Sequence, residues 1–183
     1  MLWSDGSRLD NGRNGAGIAW QEDTGEWQSQ GQALGQGLEV FDAELAAAGK
    51  ALEIARDMRT TESVTVLLDS QAAINRLRHS DPGPGQEATL RLWKAAQALV
   101  DDNREVNVGW ILGHQEVEGN KRADQAVKKT AARSTVTSNE KVSLAHVRRA
   151  QTEVRKAHRQ DWLSNALRNK ASECRHRYRT QND

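Results

Sequence analysis

The sequence predicts a mixed α/β domain: a five-stranded sheet, three antiparallel strands followed by parallel ones, with helices on both faces and a basic helical extension at its C-terminus. Three observations lead there. The first forty residues break short apolar runs with the turn dipeptides Asn11-Gly12 and Asn14-Gly15 and the turn Asp23-Thr24-Gly25, which is the pattern of a meander. Between residues 40 and 132, strand-like runs alternate with stretches whose apolar residues recur every three or four positions, as in strand–helix crossovers. Beyond residue 133, arginine becomes frequent and apolar residues thin out. The expected division is therefore a domain of residues 1–133 and an extension of residues 134–183.

Each element has its own warrant. Leu2, Trp3 and Ser4 form a short strand that meets a turn at Asp5-Gly6-Ser7. Residues 16–20 and 27–34 supply the next two strands, and the glycines of Gly15-Ala16-Gly17 mark close backbone approach within a strand. Phe41, Leu45, Ala48, Leu52 and Ala55 make the buried stripe of a helix over residues 40–58. Ser63 to Leu68 is a β-branched apolar run, hence a buried strand. A second helix starts directly after Asp69-Ser70-Gln71, and Asp81-Pro82-Gly83-Pro84-Gly85 is a loop. A third helix covers residues 87–100, with Leu90, Trp93, Ala96 and Leu99/Val100 facing inward. The last strand occupies residues 106–110. Asn120 is the expected N-cap of a further helix carrying Ala123, Ala126, Val127 and Ala131. Trp20, Trp93 and Trp110 are assigned to the core, and His79, His146, His158 and His176 to the surface.

Composition excludes several classes. No apolar run approaches the roughly 20 residues a membrane helix needs, so no membrane partner is expected. The single cysteine, Cys174, forbids an internal disulfide and fits an intracellular setting, nucleus or cytoplasm. The net charge of +1 conceals an asymmetry. Residues 1–132 carry 14 Lys+Arg against 20 Asp+Glu, a net of −6, and residues 133–183 carry 12 against 5, a net of +7. An acidic body joined to a basic tail suits a carboxylate-rich site that meets a polyanion.

Four acids and one histidine are the candidate chemistry. Asp5 and Asp69 each close a strand, Glu44 and Asp124 each lie near the start of a helix, and His114 stands on the loop before the last of these helices. Taken singly, Glu44 can serve the helix dipole and Asp69 can cap a helix. Right-handed crossovers can instead bring all four acids to one edge of the sheet, where their repulsion requires cations. Hard oxygen ligands suit Mg²⁺ or Mn²⁺, and two such ions about 4 Å apart stabilise the attacking water and leaving oxygen of a phosphodiester. His114 would then help move a proton.

Trp3-Ser4-Asp5-Gly6-Ser7, Phe41-Asp42-Ala43-Glu44-Leu45, Leu68-Asp69-Ser70-Gln71 and Gly113-His114 through Gly119-Asn120 to Ala123-Asp124 resemble the motif blocks of type 1 ribonuclease H, in that family's order. The nearest likeness is to the domain carried by fungal and other eukaryotic non-long-terminal-repeat retrotransposon reverse transcriptases. The resemblance implies an RNase H-like fold over residues 2–132, with Asp5, Glu44, Asp69 and Asp124 as ligands for two Mg²⁺ ions and His114 as the flexible-loop histidine. It implies hydrolysis of the RNA strand of an RNA–DNA hybrid, with a reverse transcriptase in the same polyprotein as a partner.

Two departures from the family pattern stand out. Phe41 occupies the position where cellular members usually carry a hybrid-contacting asparagine, and residues 78–85 replace the basic protruding helix that many of them bear. The domain alone is therefore expected to hold hybrid weakly. The extension, helical over about residues 141–170, is then either a phosphate-gripping arm, a solvated amphipathic helix docking on the sheet, or a linker within a longer polyprotein. Two alternatives to a hybrid ribonuclease are a catalytically weak or inactive module that binds nucleic acid or a partner, and a DNA-cleaving integrase-like relative. The oligomeric state is left open.

Overall fold

The structure, a computed structural model, describes residues 1–58, 62–113, 117–133 and 142–179, with the backbone alone for 131–133 and 169–179. Its elements are β1 (Leu2–Arg8), β2 (Asn14–Gln21), β3 (Trp27–Gly35), α1 (Val40–Asp57), β4 (Ser63–Leu68), α2 (Gln71–Leu77), α3 (Gln86–Asp101), β5 (Glu105–Trp110), α4 (Glu118–Arg133) and α5 (Leu144–Arg179). The strands form one sheet in the order β3-β2-β1-β4-β5. Pairings β1–β2 and β2–β3 are antiparallel, whereas β1–β4 and β4–β5 are parallel. The predicted five-stranded mixed sheet and the order of its elements are thus found.

Why α1 lies where it does follows from side-chain size. Ala43, Ala47, Ala48, Ala51 and Ala55 are fully buried, so the helix carries little bulk toward the sheet. On β1, Gly6 meets it: a Cβ there would collide with the backbone of Ala43 and Glu44. Leu52, Leu2, Ile18, Val64, Val66, Leu92 and Leu99 fill the core between α1, α3 and the sheet. On the other face, α4 rests on Gly17, where a Cβ would strike the carbonyl oxygen of Ala123 and lie 2.6 Å from Val127 Cγ2. The expectation of close backbone approach at that glycine is met, and the element that approaches is α4.

Several expectations are corrected. Asp5-Gly6-Ser7 is not a turn, because β1 runs on to Arg8 and pairs with β2 throughout, Asp5 opposite Gly17 and Gly6 opposite Ala16. Asp5 consequently lies in mid-strand rather than at a strand end. Asn14 and Gly15 belong to β2, with the register shifting between them. In α3 the inward face runs through Thr89, Leu92 and Leu99 with Trp93 and Ala96 beside it, leaving Leu90 and Val100 half exposed. Trp20 and Trp93 pack against the core, but Trp110 is 44% exposed. It ends an edge strand, and its indole N–H donates to Asp69 O at 3.1 Å.

The first compact unit runs from Met1 to His146. Two contacts fasten residues 142–146 to it. Ser143 N–H donates to Gly37 O at 2.9 Å, and His146 Nδ1 lies 3.1 Å from Glu39 Oε1. The second unit, Val147–Asp183, carries the rest of α5. Its apolar side chains Val154, Trp162, Leu163 and Leu167 are exposed. No helix among the described residues is long and apolar enough to cross a membrane.

Candidate metal centre

Three of the predicted acids meet. Asp5 in mid-β1, Glu44 on α1 and Asp69 just past β4 each offer a carboxylate oxygen, and these oxygens lie within 4.8 Å of one another. Local sequence explains each placement. β1 and β4 are parallel neighbours at the centre of the sheet, so the acid on one and the acid after the other share its C-terminal side. Glu44 reaches them because Gly6 lets α1 sit directly on β1, and the Gly6 N–H then donates to Glu44 Oε2 at 3.1 Å. Asp69 is released from capping duty, since the N-cap of α2 is Ser70, whose hydroxyl accepts from Ala73 N at 3.3 Å. The helix-dipole explanation of Glu44 also falls away: Asp42 takes the capping-box position, and Glu44 is 6% exposed.

The electrostatics register the crowding. Burial, then the charge of Asp5, then that of Asp69 push the Glu44 carboxyl up from 4.5 to about 8, against a smaller lowering by the Gly6 N–H. Near neutral pH the cluster holds a proton on Glu44 that a divalent cation can replace. Three oxygen donors at this spacing, with a burial penalty that positive charge relieves, fit a hard cation of the Mg²⁺ or Mn²⁺ type.

The remaining predicted site residues stand apart. Asp124 is not among the clustered acids; its Oδ2 accepts from Lys128 Nζ at 2.7 Å, one turn along α4. Asn120, expected to cap α4, lies inside its first turn. The helix begins earlier because Lys121 N–H already bonds Val117 O at 3.1 Å, and Gly119 packs on the Trp3 ring. His114 lies outside the described residues. The residue before it is informative nonetheless: a Cβ on Gly113 would come 2.7 Å from Asp69 Oδ2, so the backbone of that loop starts against the cluster. Gly6 and Gly113 are the functional positions that reading by chemical type passed over. Their only signals in the sequence were a glycine directly after one acid, read as part of a turn, and another directly before the candidate histidine.

A central parallel strand pair bearing carboxylates, Asp5 within β1 and Asp69 just past β4, with a helix glutamate driven into the same pocket, defines an α/β enzyme whose site is suited to divalent cations. A family model described as RNase H matches residues 1–132, and the chain belongs to the RNase H family, a family of nucleic-acid hydrolases. No curated protein matches it. Among solved structures, RNase H1 from the halophilic archaeon Halobacterium salinarum is similar at 20% identity and a TM-score of 0.56, covering 73% of this chain and 97% of that one. The N-terminal RNase H domain of a Mycobacterium tuberculosis protein gives 23%, 0.54, 72% and 95%. LC11-RNase H1, solved in complex with RNA/DNA hybrid, gives 20%, 0.57, 72% and 95%. These likenesses establish the fold, and the family match establishes a ribonuclease H.

Proposed function

We propose that the chain is an endoribonuclease that hydrolyses the RNA strand of RNA–DNA hybrids at the Asp5–Glu44–Asp69 cluster, with two Mg²⁺ ions as cofactors. The observation that carries this reading is the convergence of those three carboxylates, with Glu44 displaced to about 8, inside an RNase H-family domain. A hybrid-bound neighbour of the same fold supports the substrate class. When bound, the ions supply Lewis-acid stabilisation to both the attacking water and the leaving 3′-oxygen. The chain's own part is positional. Asp5 and Asp69 are fixed by the sheet, Glu44 is aimed by Gly6 N–H, and the Gly113 backbone lies against Asp69. Asp124, whose Oδ2 now accepts from Lys128, would serve as a fourth ligand, and His114 would move a proton.

The host context proposed is a retrotransposon polyprotein, with a reverse transcriptase domain as partner and a nuclear or cytoplasmic location. It is supported by the motif likeness, by Phe41 packing in an apolar cluster with Leu45 and Leu68, and by the short α2–α3 connection. The decisive assay incubates a labelled hybrid with the protein, with and without chelator, beside Asp69→Asn. Cleavage of the RNA strand is expected only with metal. The variant keeps its fold but loses more than about 100-fold in turnover, since even partners one step removed from a metal are worth 10–100-fold. Cleavage of duplex DNA instead, or equal turnover by the variant, would overturn the assignment.

A further inference from the structure

Within the second unit, α5 carries a pattern that the metal centre does not use. Arg148, Arg155, Arg159 and Trp162 follow one another at seven, four and three residues, which places them on one stripe of the helix. Trp162 is 64% exposed, and together with Val154, Arg155, His158 and Arg159 it lines a shallow depression. Lys156 is engaged by Glu153 at 3.1 Å, whereas Arg148, Arg155 and Arg159 have no acidic partner among the described residues. A large ring held in water beside arginines is costly for a solvated helix and useful for one that stacks a base.

We propose that this stripe binds a single-stranded polynucleotide: Trp162 is the stacking platform for a base, and Arg155 and Arg159 hold the flanking phosphates. The inference rests on the hybrid-ribonuclease reading for its context, because the strand it takes is the unpaired extension of a hybrid. Two features favour this occupant over others. The segment 147–168 carries Arg148, Arg149, Arg155, Lys156, Arg159 and Arg168 against Glu153 and Asp161, a net of +4, which matches a polyanion. Its apolar residues do not share a face. Val147, Ala150, Val154 and Ala157 follow one side, of which only Val154 reaches the Trp162 depression, and Leu163 and Leu167 turn away from it, so no continuous apolar strip runs along residues 147–168 to bury in a bilayer or a coiled coil.

The test is equilibrium binding of the full 183-residue chain, in chelator so that nothing is cleaved, to a blunt hybrid and to hybrids with RNA or DNA single-stranded extensions. The wild type is expected to prefer extended hybrids. Trp162→Ala should lose that preference by at least about fivefold, as removal of one stacked base demands, and Trp162→Phe should restore most of it. Arg155→Gln with Arg159→Gln should flatten the salt slope of single-strand binding by about 0.7 per arginine, while Trp162→Ala leaves the slope unchanged. The RNA and DNA extensions separate the two strand sources. Equal binding of blunt and extended hybrids by wild type and Trp162→Ala refutes the proposal. So does a sedimentation mass that changes with Trp162→Ala, or loss of binding to anionic vesicles in its place. Cleavage of blunt hybrid in Mg²⁺, measured separately, reports on the ribonuclease reading and is expected to be unaffected by Trp162→Ala.

Discussion

Replacing Glu44 by glutamine is expected to make the metal-free protein more stable at pH 8 and to change it little at pH 5. In the folded protein this carboxyl titrates near 8 instead of 4.5, mainly from burial and then from Asp5 and Asp69. The folded state thus holds a proton that the unfolded chain releases above 4.5, and folding stability falls as pH rises from about 4.5 to 8. At about 1.4 kcal/mol per tenfold, the displacement sets a ceiling of about 5 kcal/mol. The facing acids share the strain and relax with it, so about 3 kcal/mol is the working figure. Glutamine cannot ionise, and its amide oxygen can still accept from Gly6 N–H, the bond Glu44 makes at 3.1 Å. For a protein of this size that gain corresponds to about 6–12 °C in Tm at pH 8. The assay is thermal melting followed by circular dichroism, in chelator, at pH 5 to 8. Mg²⁺ at a hundred times its dissociation constant should then return about 2.7 kcal/mol to the wild type and less to the variant. Parallel pH profiles for the two proteins would show that Glu44 carries no raised titration, and the electrostatic case for a cation site would fail.

Two further outcomes are expected. Gly17→Ala forces a methyl group against Ala123 O and Val127 and should cost about 3 kcal/mol, read as a fall in the denaturant midpoint; an unchanged midpoint would mean that α4 does not press on β2 as described. Removing residues 147–183, which leaves the Ser143 and His146 contacts in place, should weaken hybrid binding at low salt while saturated turnover holds; an unchanged affinity at 50 mM salt would deny the arm any grip.

Periodicity and residue class were enough for the order of elements. Ser63–Leu68 read as a buried strand, and the spacing of Leu45, Ala48, Leu52 and Ala55 as the buried stripe of a helix, and both are found. The same local reading misjudged Asp5-Gly6-Ser7, whose composition suits a turn but whose backbone is held extended by pairing with β2. It also put Trp110 in the core, because apolar identity cannot tell a central strand from an edge. The candidate acids were legible as types at the right positions, yet Glu44 and Asp69 each had a local duty that could account for it without a site. Tertiary structure removed those duties: Asp42 and Ser70 do the capping, and the freed carboxylates converge with Asp5. The deciding contact is Gly6 beneath α1, a missing side chain that lets a helix and a strand approach closely enough to share one pocket. Composition along the chain determines which segments can be strand or helix, but proximity between residues 5, 44 and 69 depends on packing across the sheet, which no local pattern encodes.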